Sequence, residues 1–134
     1  MLFEKTKISG IEVKNRIIRS ATHDGLAEEN GAPSEMLIKK YEYLAENEVG
    51  CIITGYAAVS QNGVSPYPKM LKIFSDEVID KYRELTEAVH RHGTPIVLQI
   101  AHCGRLRCNR GFLRNGAGRN EYNAKQADAH GRCF

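Results

Sequence analysis

The run Ile96, Val97, Leu98, Gln99, Ile100, Ala101 constrains this chain most. It reads as a buried β-strand, and it ends in a polar cluster made by Gln99, His102 and Arg105. A second continuous apolar run, Cys51, Ile52, Ile53, Thr54, Gly55, has the composition of a parallel strand covered on both faces. Each run is preceded by an amphipathic helix pattern. In the first helix Leu37, Tyr41, Leu44 and Ala45 form the apolar stripe, with Lys39, Lys40, Glu42 and Glu46 outside it. Ser34 is its N-cap, Pro33 precedes it, and it stops near Asn47, ahead of Gly50. In the second helix Val78, Tyr82, Leu85 and Val89 share one face. The residues Ser75, Asp76 and Glu77 cap its start; His90, Arg91 and His92 suit its last turn, and Gly93 stops it.

Upstream, Arg16, Ile17, Ile18, Arg19 and Ser20 make a first core strand. Before it, residues 7–15 alternate apolar and polar around a turn at Ser9 and Gly10, the pattern of a small hairpin. The order from residue 16 to 105 is therefore β-α-β-α-β, which predicts a parallel sheet with helical crossovers. This order fits both a doubly wound sheet and the opening of a (β/α)8 barrel. The absence of a GxGxxG in the first βα turn argues against a dinucleotide-binding fold. Residues 56–74, rich in turn formers, are expected to be a long loop at the carboxyl end of the second strand, where α/β proteins bind ligands. Lys69 and Lys72 are expected there as solvated loop charges.

Several function classes are set aside by composition and charge. The four cysteines, Cys51, Cys103, Cys108 and Cys133, have no CxxC spacing, and with His102 and His130 they match no standard zinc site. Cys51 is expected to be plain core. Residues 1–105 carry 13 Lys and Arg against 14 Asp and Glu, whereas residues 106–134 carry 6 against 2. The excess charge thus belongs to the tail and makes no basic folded face of the kind nucleic acid requires. No apolar run reaches the roughly 18 residues of a membrane span, and the amino terminus lacks a secretory pattern. A cytoplasmic location is expected, with no nucleic-acid or membrane partner.

Four motifs in order carry a resemblance: Asn15-Arg16-Ile17; Gly50-Cys51-Ile52-Ile53-Thr54-Gly55; Phe74-Ser75-Asp76-Glu77; and Gln99-Ile100-Ala101-His102-Cys103-Gly104-Arg105. Together they resemble the amino-terminal part of the Old Yellow Enzyme family. These are FMN-dependent oxidoreductases that use NAD(P)H on a (β/α)8 TIM barrel. The resemblance implies an α/β fold made of an amino-terminal β-hairpin plus the first three strands and two helices of that barrel, incomplete in this chain.

It also implies roles by position. Ser20, Ala21 and Thr22 match the segment lying against the flavin, although many members have Pro where Ala21 stands. Gly55 and Tyr56 match the strand end bordering the ring, and Gln99 matches the glutamine that bonds the flavin's pyrimidine edge. A carboxamide offers donor and acceptor to a ring edge that carries both. His102 and Arg105 lie in the same cluster, with a structural hydrogen-bonding role as the competing reading. His23, Asp24 and Tyr56 are candidates for a substrate pocket.

The family pattern stops after Arg105. Residues 106–134 contain no Ile, Val or Met and show no helical or strand period. The expectation is a partial FMN-binding barrel over 1–105 and a basic, non-family tail over 106–134, out of frame or disordered. The implied function is hydride transfer from NAD(P)H through FMN to an activated alkene or similar small molecule. The alternative is a catalytically inert fragment without stable cofactor. An uncovered sheet edge would favour self-association.

Overall fold

The computed structural model describes residues 1–104. Arg105, Cys108, His130, Cys133 and the expected tail over 106–134 lie outside the described residues. The chain opens with β1 (Thr6–Ile8) and β2 (Ile11–Val13), paired antiparallel so that Ile8 faces Ile11. Ser9 and Gly10 both take positive φ, 47° and 86°, as a two-residue type I′ turn demands.

The predicted parallel core follows. Strand β3 (Ile18–Arg19) pairs with β4 (Cys51–Ile53), and β4 pairs with β7 (Ile96–Val97), all parallel. Between β3 and β4 runs α1 (Glu35–Glu46), capped as expected by Ser34, whose Oγ accepts the Leu37 N–H at 3.2 Å. Between β4 and β7 runs α2 (Ile79–His90), led in by a 3-10 turn over Asp76–Val78 that the Ser75 hydroxyl caps. Gly93 ends that segment with φ +67°.

The helices pack on each other and on the sheet. Leu37, Tyr41 and Ala45 from α1 and Leu85 and Val89 from α2 enclose Ile52 and Ala57, all at most 1% exposed. Cys51 is buried, as expected of core. Two polar side chains fix how the elements begin and end. Buried Asn15 accepts the Ile17 N–H at 2.9 Å and donates to the Glu48 carbonyl, tying the start of β3 to the turn before β4. Any Cβ on Gly50 would lie 2.5 Å from the Asn15 carbonyl, so Gly is required there. Lys14 reaches the Ala45 carbonyl at 2.8 Å and the His92 carbonyl at 3.3 Å, placing one cation on the negative ends of both helical segments.

Residues 56–74 are not one loop. They contain β5 (Ala57–Ala58), β6 (Leu71–Lys72) and a 3-10 turn over Gln61–Gly63. Strand β5 pairs in parallel with β6 and with β8 (Ile100–Ala101). Two-residue strands are too short to show a period, and Gly and Pro around them mask the pattern. Lys72 is correspondingly no solvated loop charge: it lies on β6, half-buried, and its ammonium donates to the Glu29 carbonyl at 2.8 Å. Lys69 is exposed.

Strands β4 and β5 continue one another, as do β7 and β8, but not in step. Ile53 pairs with Val97 and Ala57 with Ile100, so one strand spends an extra residue. The result is a β-bulge at Gly55 and Tyr56 opposite Gln99. Ile96 packs against the core, while Val97, Leu98 and Ile100 are 45%, 37% and 62% exposed, so this edge and face are open among the described residues.

Candidate functional site

The carboxyl ends of β3, β4 and β7 meet at one end of the parallel sheet, and the sequence-predicted residues gather there. Ser20, Ala21 and Thr22 leave β3; Gly55 and Tyr56 form the bulge after β4; Gln99 sits between β7 and β8. The first two groups touch closely. A Cβ on Gly55 would stand 2.7 Å from the Thr22 carbonyl oxygen, so only glycine lets the chains approach this far. Gln99 is linked to the bulge through its backbone, whose N–H donates to Thr54 Oγ1 at 3.2 Å and whose carbonyl accepts the Ala57 N–H at 2.8 Å. Its side chain is exposed and forms no hydrogen bond with the described residues, so both amide functions remain available.

The other candidates divide. Tyr56 turns toward His23, stacked at 5.1 Å between centroids, and its hydroxyl donates to Ser65 Oγ at 3.3 Å. Tyr67 completes this aromatic group at 6.1 Å from His23. A cavity of about 10 Å³ lies between His23, Gly55, Tyr56 and Lys69; a larger one of about 210 Å³ shares Lys69 with it and lies between Glu28, Pro66, Tyr67 and Met70. His102 makes local hydrogen bonds. Its Nδ1 accepts the Gly104 N–H at 3.1 Å, which leaves Nε2, 3.3 Å from Asn62 Oδ1, to donate when the ring is neutral. Together with the Cys103 N–H to the Gly63 carbonyl at 3.0 Å, this pins the Gln61–Gly63 turn to the end of β8.

Asp24 lines the same small cavity as His23 and Tyr56, but its carboxylate is taken up by a buried network. Its side chain is 4% exposed and receives Arg19 Nη2 at 2.8 and 3.0 Å, Lys40 Nζ at 2.7 Å and the Tyr41 hydroxyl at 2.6 Å. Burial alone would raise this carboxyl, but hydrogen bonds from Lys40 and Tyr41, and the charges of Arg19 and Lys40, outweigh it and hold the carboxyl below its ordinary value. Burial, and then the bond to Asp24, pushes the Tyr41 phenol well above its usual range, so it remains a donor across working pH. The same hydroxyl accepts the Gly55 N–H at 2.9 Å. Arg19 also donates to the Ile53 carbonyl at 2.8 Å and lies 4.8 Å above the Tyr41 ring. Sequence reasoning missed this network because Tyr41 was counted only as an apolar stripe residue. The available signal was chemical: a Tyr at the most buried helix position needs a partner for its hydroxyl.

No helix among the described residues is long and apolar enough to cross a membrane. No group of three or more His, Cys, Asp or Glu among them could hold a metal ion.

Comparison with known proteins agrees with this arrangement. The family model described as the NADH:flavin oxidoreductase / NADH oxidase family matches residues 1–129, a span that passes Arg105 into residues outside the described ones. The chain is 32% identical over 105 residues to an N,N-dimethylglycine/sarcosine dehydrogenase of Chromohalobacter salexigens, covering 78% of this chain and 15% of that protein. It is 36% identical over 106 residues to an NADPH dehydrogenase of Halalkalibacterium halodurans, covering 78% and 31%. The chain therefore spans less than a third of either relative. Among solved structures, an old yellow enzyme homologue from Zymomonas mobilis superposes with TM-score 0.69 at 30% identity, over 79% of this chain and 29% of that one. Old Yellow Enzyme from Pichia sp. AKU4542 superposes with TM-score 0.77 at 24% identity, over 86% and 30%, and shows the fold alone. These neighbours imply a TIM barrel, of which the described residues form an α/β portion. The chain belongs to the NADH:flavin oxidoreductase / NADH oxidase family, whose cofactor is FMN and whose reductant is NAD(P)H.

Proposed function

We propose that this chain supplies the hairpin, the first three strands and the two intervening helices of a (β/α)8 barrel that binds FMN and acts as an NAD(P)H-dependent oxidoreductase. FMN supplies, when bound, a two-electron carrier between NAD(P)H and an activated alkene or similar small molecule. In this reading Gln99 bonds the polar pyrimidine edge of the flavin. Ser20, Ala21, Thr22, Gly55 and Tyr56 present small or flat surfaces to its ring. Fixed hydrogen bonds at that edge would stabilise the charge of the reduced form.

The observation that carries this reading is the free carboxamide of Gln99 beside a strand end where Gly55 lets the Thr22 backbone close in. An exposed amide with both functions unspent, next to backbone that any Cβ would crowd, fits the edge of a planar heteroaromatic group. The donor set therefore fits the family's cofactor. The proposal extends to a cytoplasmic protein and to self-association through the open face at Val97, Leu98 and Ile100.

Purifying the chain and titrating it with FMN, followed by flavin fluorescence and visible absorbance, tests the reading. Saturable binding is expected, weakened about tenfold by Gln99→Leu, with bleaching on addition of NAD(P)H. Binding equal in wild type and variant would remove Gln99 from the site. Absence of flavin binding by the folded wild type would leave the inert-fragment alternative.

A further inference from the structure

The bulge leaves the Gln99 N–H without a ladder carbonyl, and side-chain hydroxyls serve it and both backbone groups of Gly55. In a regular parallel register the Gln99 N–H would reach a carbonyl on the neighbouring strand; instead Thr54 Oγ1 accepts it at 3.2 Å. The same hydroxyl donates to the Gly55 carbonyl at 2.8 Å, and the Gly55 N–H goes to the Tyr41 hydroxyl at 2.9 Å. Thr54 is 2% exposed and Tyr41 fully buried, so water is a poor substitute at either place.

We infer that the Thr54 hydroxyl is a positioning group for the cofactor edge, fixing the backbone of Gln99 against that of Gly55, with Tyr41 anchoring the other side of the bulge. This rests on the FMN reading above. The bond to Thr54 sets where the Gln99 Cα sits, and the exposed carboxamide extends from that point with no other described contact to orient it. Loss of the hydroxyl leaves the Gln99 N–H and the Gly55 carbonyl without partners and lets the two strand ends shift against each other. Thr54 acts through Gln99 and Gly55, so it is not a catalytic residue.

The test compares Thr54→Val, which keeps the shape and removes the hydroxyl, with Thr54→Ser, which keeps the hydroxyl. Flavin affinity and the bound-flavin absorbance maximum are measured, together with amide exchange at Gln99. Thr54→Val is expected to weaken FMN binding about tenfold, shift the absorbance band and speed Gln99 exchange, while Thr54→Ser restores all three. A uniform structural loss would instead follow stability and leave the band of the remaining bound flavin unmoved. Wild-type affinity and spectrum in folded Thr54→Val would overturn the positioning role while the FMN reading stands. A folded wild type that binds no FMN would overturn both. Should Thr54→Val fail to fold, Tyr41→Phe supplies the same comparison from the other side of the bulge, and an unchanged flavin band there overturns the inference.

Discussion

Asp24→Asn gives the sharpest energetic test of the structure. The carboxylate is 4% exposed and takes four hydrogen bonds, two from Arg19, one from Lys40 and one from Tyr41. Lys40 is 47% exposed, and its share is of the surface kind, at most about 1 kcal/mol. Arg19 is 13% exposed, and loss of its counter-charge leaves a largely buried guanidinium unpaired. An asparagine keeps one acceptor oxygen. Its NH2 must face either the Tyr41 hydroxyl or the Arg19 and Lys40 donors, so at least one donor meets a donor. Breaking a buried pair from one side costs roughly 3–5 kcal/mol, and the retained oxygen places this variant near the lower end, about 3 kcal/mol.

Urea unfolding of wild type and variant near neutral pH measures that difference, and a pH series supplies the sign. The Asp24 carboxyl is held below its ordinary value in the folded chain. Its stabilisation is therefore fully present above the unfolded-state pKa of about 3.9 and is lost as pH falls through the folded value. The gap between wild type and Asp24→Asn should be constant from about pH 7 to 5 and should narrow below about pH 4. A gap under about 1 kcal/mol near pH 7, or one that widens on acidification, refutes the buried-pair reasoning.

Other perturbations have distinct signs. Ser34→Ala removes the cap on α1 and should cost about 1 kcal/mol in urea unfolding, with Ser34→Asp restoring it. Lys14→Met strips the Ala45 and His92 carbonyls of their shared donor and should cost roughly 1–3 kcal/mol by the same assay. Tyr82→Phe should be neutral or stabilising by about 1 kcal/mol, because the Tyr82 hydroxyl is buried without a partner among the described residues. Gly55→Ala drives a Cβ to 2.7 Å from the Thr22 carbonyl and should cost roughly 1–3 kcal/mol, seen as a lowered melting midpoint.

What the sequence revealed was local, and what it hid was not. Ser34, Ser75 and Gly93 act within one helical turn of their own positions, so their roles follow from neighbours in the chain. The stripe Leu37, Tyr41, Ala45 was visible for the same reason. Lys14 looked like the polar half of a hairpin alternation, yet it serves carbonyls 31 and 78 residues away. Asp24 and Tyr41 stand 17 apart, and nothing in a period of 3.6 signals that a stripe residue carries a hydroxyl to a distant carboxylate. Lys72 was assigned to solvent because a two-residue strand leaves no alternation to read.

The motifs that carried the family resemblance mark places where geometry leaves little choice. Asn15 and Gly50 are bound by a contact that excludes any Cβ. Ser75 caps the turn into α2. Thr54 and Gly55 stand at the start of the bulge, where one supplies a hydroxyl for two backbone groups and the other must lack a side chain. The bulge itself was hidden, since an extra residue shows only against the partner strand's register, and the apolar run ends at Gly55 ahead of residues that read as loop. That concealment has a physical cause with functional weight. A regular ladder would satisfy the Gln99 N–H with a backbone carbonyl. Interrupting it exposes groups that must be paired by side chains, and it is stable here only because buried Thr54 and Tyr41 supply the hydroxyls. The strand end is thereby held by its backbone while the Gln99 carboxamide stays unspent, which is the condition a preorganised contact to a planar cofactor requires.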